Sequence, residues 1–293
     1  MMRPEGWVAA RAACEARSAC ALGSTLPHAG LVVLLASLFL APVGSGCRRK
    51  VQADLTLAGS TSVQPFAEAW ADAYVAEHPR LTVHVQGGGS TAGIQAAVSG
   101  AAQIGLASRA LTLDEASRAT SVVVARDGIA VIVHAGSTVA DLTLDEVRGI
   151  YSGEMASWGA VGGRPSPVTL ITREEGSGTR AAFEALVMRG RRIAAGALVQ
   201  DSTGAVRQMV ASDPAAIGYV ALGIVDGSVK AVRIGGVTPS EAAIDAGTYP
   251  LVRPFLLVLA GRPPTAAKEF VVWMMGPAGR ALVRHDGLLP PRT

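Results

Sequence analysis

The stretch LTLAGSTSVQPFAEAWADAYVAE, residues 55–77, contains one complete strand–turn–helix unit. Its first four residues are predicted to form a short strand, and GSTSVQP the turn after it. The remaining residues place Phe66, Trp70 and Tyr74 on one face, which predicts an amphipathic helix. A chain that repeats such a unit is expected to have an α/β fold.

The same unit recurs along the chain. LTVHVQ (81–86) is a predicted strand, and the turn GGGST leads from it into a second helix. Farther on, the predicted strand 168–172 leads through EGSGT into a helix at 180–188. Repeated units of this kind predict parallel sheet covered by helices. Two long apolar runs, 122–134 and 249–261, are candidates for strands that cross between two domains.

Composition narrows the class of protein. The 293 residues are 49% hydrophobic and 17% charged, which suits a folded chain of one large or two medium domains. The formal net charge of +3 is too small for a typical nucleic-acid binder, which would show a basic stripe.

Motifs of catalysis and metal binding are missing from the sequence. It contains no Walker GK[ST], H-E-x-x-H or G-x-S-x-G pattern, its histidines are scattered, and it has no Cys/His or Asp cluster. Ser90 or Ser177 as a nucleophile would need a partner base that the sequence does not identify. We therefore expect no enzymatic activity, no metal and no cofactor.

The first 46 residues have the layout of an export signal. Three arginines precede the uncharged apolar run Leu31–Val43, and the small residues 44–46 follow it, directly before Cys47. The run is too short for a comfortable transmembrane helix. A buried or signal-anchor helix is the alternative interpretation.

A cysteine directly after small residues is typical of a bacterial lipoprotein signal. In this interpretation Cys47 becomes the acylated, for example palmitoylated, mature N-terminus, and residues 47–54 form a tether. Cys14 and Cys20 lie in the removed segment, so the mature chain would have no intrachain disulfide. Gly44 departs from the pattern, because lipoprotein signals usually carry Leu there.

Three turns share one composition: GSTS (59–62), GGGST (87–91) and EGSGT (175–179). Each ends a predicted strand and starts a helix, so hydroxyls, backbone N–H groups and positive helix ends would meet at one edge of a sheet. Together with the planar fork of Arg173, they predict a site for a small oxyanion. Taken singly, these features have simpler explanations as helix N-caps, a flexible turn and a surface ion pair.

Six segments identify a family by their order along the chain: GSTSVQPFAEAWADAY, GGGSTAGIQAAVSGAAQIGLASRALT, LTLDEVRGIYSGEMASWGAVGG, TREEGSGTR, AIGYVAL and YPLVRPFLLVL. Over residues 55–290 they resemble the PstS-like phosphate-binding proteins of bacterial phosphate ABC transporters. The resemblance implies a two-lobed type II periplasmic-binding-protein fold, with mainly parallel sheets flanked by helices and a ligand cleft between the lobes. Lobe one would hold residues 51–128 plus 252–293, and lobe two residues 129–251.

The resemblance also implies a set of phosphate ligands. These are Thr61 and Ser62 from the first turn, Ser90 from the second, Ser108 after the next strand, and Arg173, Ser177, Gly178 and Thr179 from the other lobe. Glu175 is expected to hold Arg173 in place. Many phosphate binders carry an aspartate at the position of Ser108, which here is followed by Arg109. A hydroxyl does not reject sulfate by charge, so discrimination against sulfate is less well specified than binding.

The function implied is extracytoplasmic capture of inorganic phosphate by a lipid-anchored monomer that delivers it to an ABC permease. Two alternatives use the same residues. One is a receptor for another oxyanion such as sulfate or molybdate, and the other is a phosphate sensor or adhesin on the same scaffold.

Overall fold

A nine-stranded sheet runs through residues 53–292, the part of the chain that this computed structural model describes. The predicted signal, Cys47 and residues 48–52 lie outside the described residues. The strands are β1 (Ala53–Gly59), β2 (Leu81–Gly87), β3 (Ile104–Ala107), β4 (Ala119–His134), β5 (Asp141–Leu142), β6 (Thr169–Arg173), β7 (Leu198–Gln200), β8 (Ala216–Ala221), β9 (Val229–Ala231), β10 (Arg233–Ile234) and β11 (Val252–Ala260). The order in the sheet is β2-β1-β3-β11-β4-β8-β6-β7, with β9 beside β4, while β5 and β10 form a separate pair.

Helices follow the strands as the turn patterns predict. They are α1 (Gln64–Glu77), α2 (Ser90–Ser99), α3 (Leu113–Arg118), α4 (Leu144–Ser152), α5 (Gly178–Phe183), α6 (Thr203–Ser212), α7 (Glu241–Asp245), α8 (Thr265–Met275) and α9 (Pro277–His285). The helix predicted over 180–188 is divided, because α5 continues as a π-helix over Glu184–Met188. No helix within residues 53–292 has the length and hydrophobicity needed to cross a membrane.

Two groups of parallel strands are joined by antiparallel ones. In the first group β1 pairs in parallel with β2 and β3, and in the second β6 pairs in parallel with β7 and β8. The long apolar runs form the 16-residue strand β4 and its antiparallel partner β11. The first part of β4 pairs with β11, and its last part, from Ile129 on, pairs with β8. β4 therefore passes from one group of strands to the other.

Each group of strands has its own apolar core. Around the first, buried Trp70 and Phe270 pack with Phe255 of β11. Around the second, Tyr151 and Tyr219 pack on Phe183, whose ring stacks on that of Tyr219 at 4.1 Å. Burying each such aromatic side chain contributes about 1.5–3 kcal/mol, so each group is stabilised separately. The fold is two-lobed for this reason.

Two capping boxes start helices in this scaffold. Thr143 and Glu146 form the box at the start of α4, and Thr112 and Glu115 form the same arrangement at α3. The Glu115 carboxylate also receives two hydrogen bonds from Arg109, each of 2.7 Å. These bonds are the main reason that the pKa of Glu115 falls to about 2. Arg109 is thereby held beside the loop that follows β3.

Candidate functional site

Four helix starts meet between the two lobes. They belong to α1, α2, α5 and α6, each of which follows a strand through a short loop rich in serine, threonine and glycine. The starts of α5 and α6 are capped by Ser177 and Ser202, which accept hydrogen bonds from backbone N–H groups, whereas α1 and α2 begin without a side-chain cap. First-turn N–H groups and the positive end of the helix dipole favour an anion at such a place.

The first hydroxyl cluster joins three helix starts. Ser62 Oγ lies 2.7 Å from Thr179 Oγ1 and 2.8 Å from Thr203 Oγ1, and all three residues are buried. Three hydroxyls carry three protons, and their two mutual contacts use two of them. One proton is therefore left over for another acceptor, such as a ligand oxygen.

A second hydroxyl cluster has the same connectivity. Ser60 Oγ donates to Ser108 Oγ at 2.9 Å, and Ser90 Oγ lies 3.3 Å from Ser108 Oγ. The backbone N–H of Ser108 donates to Ser90 Oγ at 3.0 Å. Again three hydroxyls share two contacts, so this cluster also has a proton to donate elsewhere.

Gly178 brings the two lobes into contact beside the second cluster. A Cβ atom at this position would lie 2.1 Å from Ser90 Oγ and 2.6 Å from Ser108 Oγ, so any larger residue would collide. The N–H of Thr91 donates to the carbonyl of Gly176 at 3.1 Å across the same approach. The loops before α2 and α5 thus touch directly, and a glycine is required there for steric reasons.

Arg173 is the cation at the centre of this arrangement, and it is only 1% exposed. Its guanidinium donates to Thr61 Oγ1 at 3.1 Å and to Thr203 Oγ1 at 3.0 Å. It is held by both carboxylate oxygens of Glu174, at 2.8 and 2.9 Å. The expectation that Glu175 holds Arg173 is wrong: Glu175 is exposed, and the side chain that folds back onto the guanidinium is that of Glu174.

All eight ligand positions implied by the resemblance lie in this region. Ser62 and Thr179 touch each other, Ser90 and Ser108 touch each other beside Gly178, and Thr61 touches Arg173. Ser177 is one residue from Gly178 and caps α5 by accepting from the N–H of Arg180 at 3.3 Å. Direct contact of these groups with phosphate stays a prediction.

Sequence reasoning missed Thr203 as a member of the first cluster. Ser202-Thr203-Gly204 follows the short strand β7 and has the same composition as the three turns that were recognised. The three-residue strand was too short to be predicted, so the turn after it was not noticed. Thr203 is 1% exposed and touches both Ser62 and Arg173.

Sequence reasoning also missed a buried ion pair beneath the first cluster. Arg253 Nε and Nη2 donate to Asp127 Oδ2 at 3.0 and 2.9 Å, and both side chains are 1% exposed. Arg253 Nη1 donates to Thr179 Oγ1 at 2.6 Å. Burial raises the pKa of Asp127 to about 6, although the charge of Arg253 opposes this shift. The available signal was the presence of charged residues inside the two long apolar runs, Asp127 next to Arg126 in the first and Arg253 in the second.

Three buried or partly buried carboxylates near the hydroxyls are each paired with an arginine. Asp127 is paired with Arg253, Glu174 with Arg173 and Glu115 with Arg109, whose Nη2 also donates to Thr91 Oγ1 at 3.1 Å. Within residues 53–292 no carboxylate contacts the clustered hydroxyls, and no group of His, Cys, Asp and Glu could hold a metal ion. The site thus offers hydrogen-bond donors and reorientable hydroxyls, which suits a small oxyanion.

Comparison with known proteins identifies the family. A family model described as a PBP superfamily domain matches residues 47–278. The phosphate-binding protein PstS of Bacillus subtilis (strain 168) is 32% identical over 246 residues, which is 82% of this chain and 82% of that protein. The chain belongs to the PstS family. The resemblance found in the sequence is thereby confirmed.

Solved structures agree with this assignment. A substrate-binding protein from Clostridium perfringens, crystallised with bound phosphate, is 34% identical with a TM-score of 0.79, and the match covers 82% of this chain and all (100%) of that one. An ABC-type phosphate transport receptor from Vibrio cholerae is 35% identical with a TM-score of 0.68, over 81% of this chain and 100% of that one. The two-lobed type II periplasmic-binding-protein fold is confirmed, and the relatives named here are binding proteins.

Proposed function

We propose that this protein binds inorganic phosphate outside the cytoplasm and delivers it to an ABC permease. The observation that carries the proposal is the meeting of two donor-rich hydroxyl clusters with buried Arg173 at four helix starts. Phosphate has four oxygens in tetrahedral positions, and each can accept hydrogen bonds from such groups. Membership of the PstS family supports the same ligand.

Closure of the two lobes is the proposed mechanism. Residues 51–128 plus 252–293 would form one lobe and residues 129–251 the other, with β4 and β11 as the connecting strands. A ligand that touches hydroxyls of both lobes interacts more strongly with the closed arrangement than with an open one, and so shifts the population toward it. The closed form would be the one that a permease recognises.

The proposed activity is binding without chemical change. The site serines contact other hydroxyls and backbone groups, so the described residues place no histidine or free carboxylate where it could act as a general base. We propose that the protein acts as a monomer, because one chain supplies both halves of the site.

Lipid anchoring through Cys47 is a separate proposal. The family match begins at residue 47, which is where the mature chain would begin after signal cleavage. Metabolic labelling with palmitate, followed by mass spectrometry of the N-terminal peptide, tests it. Label on the wild type and its loss in Cys47→Ser support anchoring, whereas an unmodified Cys47 in the mature chain contradicts it.

One observation favours a second ligand, a fully ionised oxyanion such as sulfate. Ser108 occupies the position where many phosphate binders carry an aspartate, and the nearby carboxylates are paired with arginines. Hydrogen phosphate must therefore donate its proton to a hydroxyl, which sulfate does not need to do.

Calorimetry on soluble residues 48–293 with phosphate, sulfate and molybdate separates these ligands. We expect phosphate to bind with the highest affinity of the three. A lack of heat with phosphate contradicts the proposed function, and equal affinity for sulfate contradicts the proposed selectivity.

A further inference from the structure

Asp127 and Arg253 face each other on the two strands that connect the lobes. They are register partners in the antiparallel pairing of β4 and β11. Asp127 lies two residues before the point where β4 leaves β11 and begins to pair with β8. The ion pair is therefore built into the connection between the lobes and not into one lobe alone.

The geometry of the pair leaves one donor of Arg253 for the site. Two of its nitrogens converge on Asp127 Oδ2, while Asp127 Oδ1 accepts from the N–H of Leu222 at 3.2 Å. The guanidinium carbon also lies 5.2 Å from the centre of the Phe255 ring. With the guanidinium held from these sides, Nη1 is directed at Thr179 Oγ1, 2.6 Å away.

Both threonine partners of Ser62 receive an arginine N–H. Arg253 donates to Thr179 Oγ1, and Arg173 donates to Thr203 Oγ1 at 3.0 Å. A cationic donor on a hydroxyl oxygen occupies one of its lone pairs and strengthens its own O–H as a donor. Either oxygen can be the donor in the contacts of Ser62 with Thr179 and Thr203. With both threonines as donors, the two lone pairs of Ser62 Oγ are filled and its proton points toward a ligand.

We propose that the Asp127–Arg253 pair is a positioning element of the anion site, which acts through Thr179 to make the Ser62 hydroxyl a hydrogen-bond donor to the ligand. This inference rests on the proposed function, because it requires an anion at the site. It assigns a role to a charge pair that joins the connecting strands to Thr179 of the second lobe and, through Thr179, to Ser62 of the first.

A merely structural ion pair would behave differently. Buried pairs of this kind often contribute little more to stability than apolar residues of the same volume. Loss of a structural pair lowers stability and leaves affinity unchanged in the molecules that remain folded. A positioning pair changes affinity, and does so only while the Thr179 hydroxyl is present.

The test is a double-mutant cycle on the full chain, purified in detergent and titrated with phosphate by calorimetry. Arg253→Lys keeps the charge but cannot reach Asp127 and Thr179 together. We expect it to weaken binding on the order of ten-fold in the wild-type background, as for loss of one charge-assisted hydrogen bond. In the Thr179→Val background the same change should alter affinity less than about two-fold, since the relay is already broken.

Two further variants complete the experiment. Arg126→Lys changes the neighbouring arginine of β4. Arg126 Nη2 lies 2.9 Å from Asp245 Oδ1, in an ion pair that does not contact the site, so this variant should leave phosphate affinity unchanged. Asp127→Asn frees Arg253 from its fixed position and should weaken binding like Arg253→Lys. Circular dichroism checks that each variant is folded.

The outcomes separate this inference from the proposed function. Phosphate binding by the wild type, with equal losses in both backgrounds or with no loss at all, overturns the positioning role alone. If phosphate fails to bind, the proposed function is wrong and the cycle is repeated with sulfate or molybdate. Failure of all three anions to bind overturns both proposals. If neither Arg253→Lys nor Asp127→Asn folds, the pair is a requirement of the fold and the positioning role is overturned.

Discussion

Two buried arginines contact the first hydroxyl cluster and are held in different ways. Arg173 is paired with its chain neighbour Glu174, whose side chain is 30% exposed, whereas Arg253 is paired across two strands with Asp127, and both of those side chains are 1% exposed. The first pair is local and reaches water, and the second is non-local and dry. The contrast suggests a division of roles. Arg173 is the cation assigned to the ligand, while Arg253 is bound into the frame that carries the hydroxyls.

The largest expected effect is on stability and concerns the dry pair. Asp127→Ala removes the acceptor of two buried Arg253 hydrogen bonds together with the counter-charge, which should lower the free energy of unfolding by about 3–5 kcal/mol. Urea unfolding followed by circular dichroism measures it. The matched control is Asp245→Ala, which removes the 66% exposed partner of Arg126 and should cost less than about 1 kcal/mol. Equal losses in the two variants would show that the Asp127–Arg253 pair is effectively solvated.

The next effect is on ligand binding. Arg173→Ala removes the central cation and its bonds to Thr61 and Thr203, so phosphate affinity should fall by about 1.5–3 kcal/mol, or about 10- to 150-fold. Calorimetry measures the loss. Arg207→Ala is the control, because Arg207 forms a surface pair with Asp226. Wild-type affinity in Arg173→Ala would mean that the site has been assigned to the wrong place.

The pH dependence of stability should have opposite signs at two carboxylates. The pKa of Glu115 is lowered to about 2 by Arg109, so its contribution is complete above about pH 4.5 and is lost as pH falls toward 2. The pKa of Asp127 is raised to about 6 by burial, so stability is lost as pH rises from about 4 through 6. Each change is expected to be at most about 3 kcal/mol.

Urea unfolding at several pH values resolves the two contributions. Glu115→Gln should remove the loss of stability in acid, and Asp127→Asn should remove the loss between pH 4 and 6. If both variants keep the wild-type pH profile, these carboxylates do not have the shifted pKa values.

The smallest effect is expected at the partly exposed Arg173–Glu174 pair. Glu174→Gln keeps a hydrogen-bond acceptor on Arg173 but removes a charge that is partly screened by water, so affinity should change by less than about 1 kcal/mol, or about five-fold. Glu175→Gln removes the same charge one residue away, without contact to Arg173, and is the control. A ten-fold loss of phosphate affinity in Glu174→Gln would show that the Arg173–Glu174 pair matters for binding as much as the buried Asp127–Arg253 pair.

Local patterns were sufficient to predict most elements of the fold. The strand–turn–helix unit at residues 55–77 and the position of Arg173 before a helix depend on side chains within about four positions of each other. Such contacts can be read from spacing alone. Recognition of the family added the order of the units and the two-lobed arrangement.

The tertiary structure decided which polar groups meet. The side chains of Asp127 and Arg253 are 126 positions apart and become partners only through the register of β4 and β11. Thr203 joins Ser62 across 141 positions. The choice of Glu174 over Glu175 depends on which side chain folds back onto the guanidinium, and spacing does not reveal this direction. The sequence by itself thus determined the elements and the donor-rich loops. Strand register and side-chain direction, which depend on the packing of the whole chain, determined how those loops are joined into one site.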